Sequence, residues 1–472
     1  MKSKLHYLAP LAILASAGCT LGPNYLRPET DAPTEYKSGS SGSWKEGKPL
    51  DHVTKGDWWK IYSDGELNNL QSRASRANQE VKAAVARVEQ ARATARVARS
   101  ELLPTLNANP GYTRTRLSPD QVPNTGGMTA DNFRMPLDLS YEIDLWGRVR
   151  RGFEGARAES QASLAALQNV LLILHADVAQ NYFALRAIDA EISIVSDAIA
   201  LRKQRVQLVR DRFENGVGDQ LELARSKSEL ASAEAESAAL RKRRAELENA
   251  LAILVGENPS SFEVRAVSGD RLARWNPAPP KIPAGLPADL LERRPDVAEA
   301  ERQLAAANAR IGVAKAAFFP ALSLTGSSGY VSGELGDLFK WDSRAWSIGP
   351  SVSLPIFAGG RNRANLERSE AEYEEAVARY RQKILVAFGE VESSLSGIRF
   401  LAEEAEAQER AVTDARHAAR LADERYREGI VNYLEAIDAD REALQAERAK
   451  TQLAGQRLIA SAQLVKSLGG GW

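Results

Sequence analysis

One thiol, Cys19, and four histidines, His6, His52, His175 and His417, are the side chains on which nucleophilic or metal chemistry would have to rest. The histidines show neither HxH nor HExxH spacing, and a lone cysteine supports neither a disulfide framework nor a cysteine-based zinc site. No GxxxxGK(S/T), GxGxxG or GxSxG segment is present, so a phosphate-cradling loop and a nucleophile elbow are missing as well. Without a convergent polar constellation, an enzyme is the least supported reading, and no metal or organic cofactor is expected. The 62 basic and 62 acidic residues balance to zero net charge, which removes the electrostatic case for nucleic acid. At 44% hydrophobic and 26% charged, the 472 residues have the composition of a folded chain.

The chemistry that Cys19 does suit is acylation. Lys2 and Lys4 precede a short, mostly apolar stretch, Leu5 to Ala15, too short to span a bilayer, and small residues Ser16, Ala17 and Gly18 lead into the cysteine. This resembles a bacterial lipoprotein signal, in which the cysteine is lipidated after cleavage, although Ser16 stands where such signals usually carry leucine. An ordinary secretory signal with a chance cysteine is the alternative. Thr20, rather than aspartate, follows Cys19, which by the sorting rule for such lipoproteins favours the outer membrane. Residues 1–18 are therefore read as a signal peptide and 19–60 as a lipidated, Gly-, Ser- and Pro-rich tail. Beyond Cys19 no uninterrupted apolar run approaches the roughly 18 residues of a membrane helix.

The rest of the chain repeats itself. Arg212-Phe213-Glu214-Asn215-Gly216 is echoed by Arg425-Tyr426-Arg427-Glu428-Gly429, 213 positions on, and Gly147-Arg148 by Gly360-Arg361 at the same offset. Leu103-Pro104 matches Phe319-Pro320 at 216, so a loop in the first half is three residues longer. A period this long means two domain-sized units, residues 61–276 and 277–472, joined near the Pro-rich stretch Pro277 to Pro287.

Each half carries a heptad seam. Leu164, Leu167, Leu171, Leu174, Val178, Asn181, Leu185, Ile188, Ile192, Val195, Ile199, Arg202, Val206, Val209 and Phe213 follow one another in alternating steps of three and four. Thirteen of these fifteen are apolar, and so are thirteen of the fifteen positions 213 residues later, from Val377 to Tyr426, counting alanine. The pattern predicts a helix from about Arg150 to Asn215, roughly 98 Å long at about 1.5 Å per residue, which suits a rod or a tube wall. Shorter helices are predicted at about Asp64–Leu103 and Gln220–Val255, with counterparts in the second half.

Between the helices the period changes to two. Phe133 to Leu145 alternates apolar with polar residues, as does Trp346 to Ile356, and preceding partners lie at Leu106–Ser118 and Leu322–Ser332. Each run reaches the roughly 9–11 residues of a tilted membrane strand. A one-sided sheet in a soluble domain is the competing reading. Export, the lipid anchor and the want of a second sheet weigh against it. Four strands do not close a membrane barrel, and lipid does not tolerate open edges, so insertion requires several copies. Two copies would fill their own interior; three give twelve strands and an open lumen.

Together these features resemble the outer membrane factor family, the TolC-like exit ducts of efflux pumps, and within it the NodT-type lipoprotein branch that serves resistance-nodulation-division transporters. The residues carrying the resemblance are Cys19 with Gly22-Pro23-Asn24-Tyr25-Leu26-Arg27-Pro28, Asp57-Trp58-Trp59, Asp144-Leu145-Trp146-Gly147-Arg148, and Arg425-Tyr426-x-x-Gly429 before Asn432-Tyr433-Leu434. The resemblance implies an α+β membrane protein: a homotrimer whose twelve-stranded β-barrel in the outer membrane continues into a coiled-coil helical barrel in the periplasm. It also implies partners, namely a periplasmic adaptor, an inner-membrane resistance-nodulation-division transporter and outer-membrane lipid. Gly216 and Gly429, with Phe213 and Tyr426, would form helix-tip turns that contact the adaptor. Leu434 matches an apolar constriction and Asp438 an acidic ring, with Arg225, Glu435 and Arg441 as further members of a charged latch. A type I secretion duct and a lipid-anchored periplasmic stalk are the competing functions, and the cargo is left open.

Overall fold

The computed structural model describes residues 20–29, 56–118, 127–266, 278–280, 282 and 293–470. Cys19, the signal segment and most of the Pro-rich joint lie outside the described residues. The chain separates into two compact units, and each draws on both sequence repeats. Among the described residues, a sheet unit takes those within 20–29, 87–164 and 299–381, and a helical unit those within 56–86, 165–298 and 382–470.

The helices are α1 (Gly65–Ala77), α2 (Gln79–Ser100), α3 (Arg148–Glu214), α4 (Gln220–Val255), α5 (Pro295–Ala316), α6 (Arg361–Arg427) and α7 (Tyr433–Ser467). The strands are β1 (Thr105–Ala108), β2 (Gly111–Arg116), β3 (Thr129–Ile143), β4 (Ala321–Ser332) and β5 (Arg344–Ser353). The duplication is visible in the bounds: α3 and α6 each have 67 residues, and both ends are displaced by 213 positions.

Within the sheet unit all pairings are antiparallel, in the order β1-β3-β4-β5, with β2 also on β3. β1 and β2 are one strand track, since Thr105↔Ser140 and Gly111↔Arg134 share a register. The track is broken at Pro110, which has no N–H to offer the ladder. Opposed residues share a face, so the register sorts the sheet. Leu106, Leu139, Gly326 and Ile348 lie in one row of the apolar face; Asn107, Asp138, Ser327 and Ser347 lie in the adjacent row of the polar face. Ser323 and Ser351 hydroxyls meet at 2.7 Å on that polar face. Among the described residues, the β1/β2 track and β5 have a partner on one side only. β5 stops at Ser353 rather than Ile356, because its partner begins at Ala321, just after Pro320.

In the helical unit the expected helix Asp64–Leu103 is two helices. Asn78 sits between them with extended backbone (ψ 131°), accepts a hydrogen bond from the Val81 N–H at 3.0 Å and donates to the Leu254 carbonyl at 2.9 Å. It thus caps α2 while tying the break to α4. Asp64 caps α1 by accepting from the Glu66 and Leu67 N–H groups, and the Tyr182 hydroxyl donates to its other oxygen at 2.7 Å. The core gathers Leu67, Leu70, Val178, Leu185, Leu251 and Val255, all fully buried. α3 contains an 18-residue window of mean hydropathy 1.5, long and apolar enough to cross a bilayer by composition, which the search for uninterrupted runs missed. In the structure 39% of that window is buried within the chain, and seam residues Val178, Leu185 and Val195 of the same helix are fully buried.

Candidate gate at the helix turns

Two turns in the helical unit, α3–α4 and α6–α7, have the same construction. Gly216 and Gly429 take φ of 76° and 74°, a left-handed conformation that costs glycine little. Their N–H groups donate to the Phe213 and Tyr426 carbonyls, and the next residues, Val217 and Ile430, donate to the Arg212 and Arg425 carbonyls at 3.0 and 2.9 Å. These are paired Schellman-type stops. The following helices start at side-chain caps: Asp219 accepts from the Leu221 N–H and Asn432 from the Glu435 N–H.

Beneath the turns lies a small core of Val209, Leu223, Tyr426, Tyr433, Ala436 and Ile437. The Tyr426 hydroxyl donates to Glu222 and accepts from Arg212 at 3.2 Å. Burial first, and then the hydrogen bond to Glu222, push the Tyr426 phenol up to about 12. The core therefore joins α3, α4 and α6 through one neutral hydroxyl.

A set of ion pairs continues along the same helices. Arg202 of α3 approaches Glu229 of α4 and Asp440 of α7, each at 3.7 Å. Arg441 of α7 grips Glu229 and also reaches Asp438 at 3.3 Å. The hydrogen bond from Arg441 is the main reason the Glu229 carboxyl lies below the usual carboxylate range. Arg205 of α3 pairs with Asp423 of α6, which also takes Arg427 at 2.7 Å. Glu229 and Asp423 are thus points where two guanidinium groups converge on one carboxylate.

The sequence-predicted residues divide. Leu434 is 42% exposed. Asp438 is exposed and paired within its own chain to Arg441. Arg225 and Glu435 are exposed and join no ion pair among the described residues. Phe213 is exposed while its counterpart Tyr426 is buried. Glu229, Glu222, Asp423, Arg202, Arg205 and Arg212 were missed. One signal was available: Arg202 is a cation in the heptad seam, and a buried cation there needs a partner.

Comparison with known proteins bears on what such turns serve. A family model described as "Outer membrane efflux protein" matches residues 70–257 and 286–470, one segment in each repeat. The chain belongs to the outer membrane efflux protein family. Similar members include the toluene efflux pump outer membrane protein TtgF of Pseudomonas putida, 33% identical over 99% of this chain and 97% of that protein. The cation efflux system protein CusC of Escherichia coli is 31% identical over 98% of each. A solved structure of the outer-membrane channel OprN superposes with a TM-score of 0.87 at 32% identity, covering 96% of this chain and 100% of that one. As a member of this family the chain is an outer-membrane channel protein of the efflux type, with mixed α and β structure and an internal repeat.

A second cluster in the helical unit has no family-motif signal beyond Asp57-Trp58-Trp59. A cavity of about 640 Å³ is lined by Trp58, Trp59, Arg76, Leu171 and His175 among others. His175 stacks on Trp59 with centroids 4.3 Å apart, and its Nδ1 lies 2.7 Å from Gln71 Oε1. Burial pulls the His175 imidazole down to about 4. It is neutral at physiological pH and serves packing. Among the described residues no group of three or more His, Cys, Asp or Glu side chains is arranged to hold a metal ion.

Proposed function

We propose that this protein is the exit duct of a tripartite efflux pump, a passive outer-membrane channel whose periplasmic tip is opened by an adaptor. The observation that carries this reading is the sheet: one apolar face, one polar face lined with hydroxyls, and two edges that have no partner among the described residues. Lipid does not tolerate such edges. Three copies pair edge to edge into twelve strands, with the apolar face outward and the polar face on the lumen. The long helices continue the conduit in the periplasm. The energy comes from an inner-membrane resistance-nodulation-division transporter, so the chain itself does no chemistry and needs no cofactor. Cys19 carries the covalent lipid that anchors the mature chain, and the two repeats meet close to residues 276 and 277.

At the tip, Tyr426, Glu229 and Asp423 hold α6 and α7 against α3 and α4. Adaptor contact at the Gly216 and Gly429 turns favours the arrangement in which these pairs are broken, a small sliding of packed helices. Leu434 and Asp438 narrow the aperture, and three Asp438 copies favour cations there. The mature protein reconstituted in a planar bilayer tests the reading. A small resting conductance that rises in Glu229→Gln and Tyr426→Phe is expected. A lipid-anchored stalk gives no conductance in any variant.

A further inference from the structure

The segment that joins Cys19 to the fold is bound like a ligand. In the sheet unit, Thr20–Pro28 has no secondary structure of its own, yet six hydrogen bonds fix it. The Leu21 N–H donates to the Trp146 carbonyl at 3.0 Å. Arg151 of α3 donates to the Leu21 carbonyl at 3.2 Å and to Asn24 Oδ1 at 2.9 Å. Asn308 of α5 donates to the Pro23 carbonyl at 2.9 Å, and the Tyr25 hydroxyl donates to Glu301 of α5 at 2.7 Å. Arg27 donates to the Tyr380 hydroxyl of α6 at 2.8 Å. The receiving side chains are covered: Arg151 is 4%, Glu301 6%, Asn308 3% and Tyr380 0% exposed. Without the strap Arg151 keeps Glu154 and Glu301 keeps Arg302, but Asn308 loses the Pro23 carbonyl and the Tyr380 hydroxyl loses Arg27. Buried polar groups are costly when they lose such partners, so the groove is built for an occupant.

The fit is steric as well as polar. Gly22 takes φ +91°, and a Cβ there would lie 2.6 Å from the Gly312 Cα. A Cβ on Gly312 would lie 2.8 Å from the Leu21 carbonyl oxygen. Backbone thus passes over backbone at a glycine–glycine crossing that admits no side chain. Leu26, by contrast, is exposed and reads nothing. The bound elements also border the strands: Trp146 follows β3, α5 leads into β4, and α6 follows β5.

We propose that the groove of α3, α5 and α6 is a peptide-binding site for the chain's own segment Thr20–Pro28, reading Gly22, Asn24, Tyr25 and Arg27, and that its occupancy stabilises the trimer independently of the lipid. The second half of this claim rests on the trimeric channel reading. Docking at Trp146, just after β3, and along α5, which leads into β4, steadies the directions in which β3 and β4 meet their helices, while Arg27 holds the strap to α6 at Tyr380, so release of the strap loosens the sheet whose edges the copies must pair.

Gly22→Val in the full-length, lipidated chain disrupts the strap and leaves the groove intact. Chymotrypsin is then expected to cleave the Tyr25–Leu26 bond at least tenfold faster than in the wild type, and the trimer to dissociate at lower temperature. A fluorescein-labelled synthetic peptide, TLGPNYLRP, is expected to bind the variant, raise its anisotropy and restore the dissociation temperature. The same peptide with valine for glycine is expected to do neither. Leu26→Ala is expected to match the wild type in both readouts. If Gly22→Val yields no folded chain, Tyr25→Phe/Arg27→Gln removes two hydrogen bonds without adding bulk and is read by the same cleavage assay. Unchanged protection of the strap in the variants, or no peptide binding to Gly22→Val, overturns the proposal while the channel reading stands. A wild type that forms no trimer removes the channel reading first.

Discussion

The two helix turns share a backbone and differ in what their side chains do. Gly216 and Gly429 have φ within two degrees of each other, and the backbone hydrogen bonds that stop α3 and α6 at them correspond one for one. Yet Phe213 is exposed where Tyr426 is buried and hydrogen-bonded, and Arg225 is unpaired among the described residues where Asp438 meets Arg441. Duplication preserved the geometry that reverses a long helix and left the surface free to diverge. The second-half turn gained contacts that hold it to the first, whereas the first-half turn kept an exposed apolar tip. Equivalent substitutions at equivalent positions should therefore agree when they probe backbone and disagree when they probe side chains.

The largest contrast concerns pH. His175 is a buried imidazole, and 213 positions on stands Phe388, which does not titrate. The unfolded chain takes up a proton near pH 6.5 that the folded chain refuses until about 4. The contribution of His175 to stability is then fully present above pH 6.5 and is lost as pH falls towards about 4, by about 3 kcal/mol in all. Thermal unfolding in detergent, followed by circular dichroism between pH 7 and 5, should show this slope. His175→Phe should flatten it whatever it does to absolute stability.

A smaller effect attends Glu229→Gln, which removes the carboxylate at 3.7 Å from the nearly buried Arg202 and leaves it the residue-229 backbone carbonyl at 3.2 Å and Asp440 at 3.7 Å. A loss of about 2 kcal/mol is expected, read as a drop in unfolding temperature of a few degrees. Tyr426→Phe removes the hydrogen bonds to Glu222 and Arg212 and should cost about 1.5 kcal/mol, whereas Phe213→Tyr, which makes the first turn resemble the second, should cost almost nothing. Equal losses in the two would show that the turns are chemically alike and end the distinction. Last, Gly216→Ala and Gly429→Ala should each cost about 1 kcal/mol, since a Cβ at either meets no atom within 4 Å and the cost is conformational alone. A marked inequality there would show that the shared backbone is not under the same load.

Much of the fold was legible because it depends on period. Alternating steps of three and four located α3 and α6, and alternation by two located β3 and β5, since a helix or strand buries one face. The interruptions were less legible because their causes are tertiary or lie in a partner strand. Asn78 breaks a helix by bonding to Leu254, 176 residues away, and β5 ends where β4 begins. The tip was half legible. Gly216, Gly429 and Tyr426 announced themselves through the repeat, but Arg441 meets Glu229 across 212 residues, and charges on a helix surface do not declare their partners. Arg202, a cation at a seam position, was the readable exception. The strap over Gly312 had a motif, Gly22-Pro23-Asn24-Tyr25, and no clue to the groove that receives it.

The channel reading depends on an incomplete sheet that sister copies complete. Native mass spectrometry of the mature protein extracted from outer membranes tests this most directly. Three chains in one detergent-protected particle, with trimer mass retained when Glu229→Gln loosens the tip, is the predicted result. A protein recovered from the soluble fraction as a single chain would contradict it.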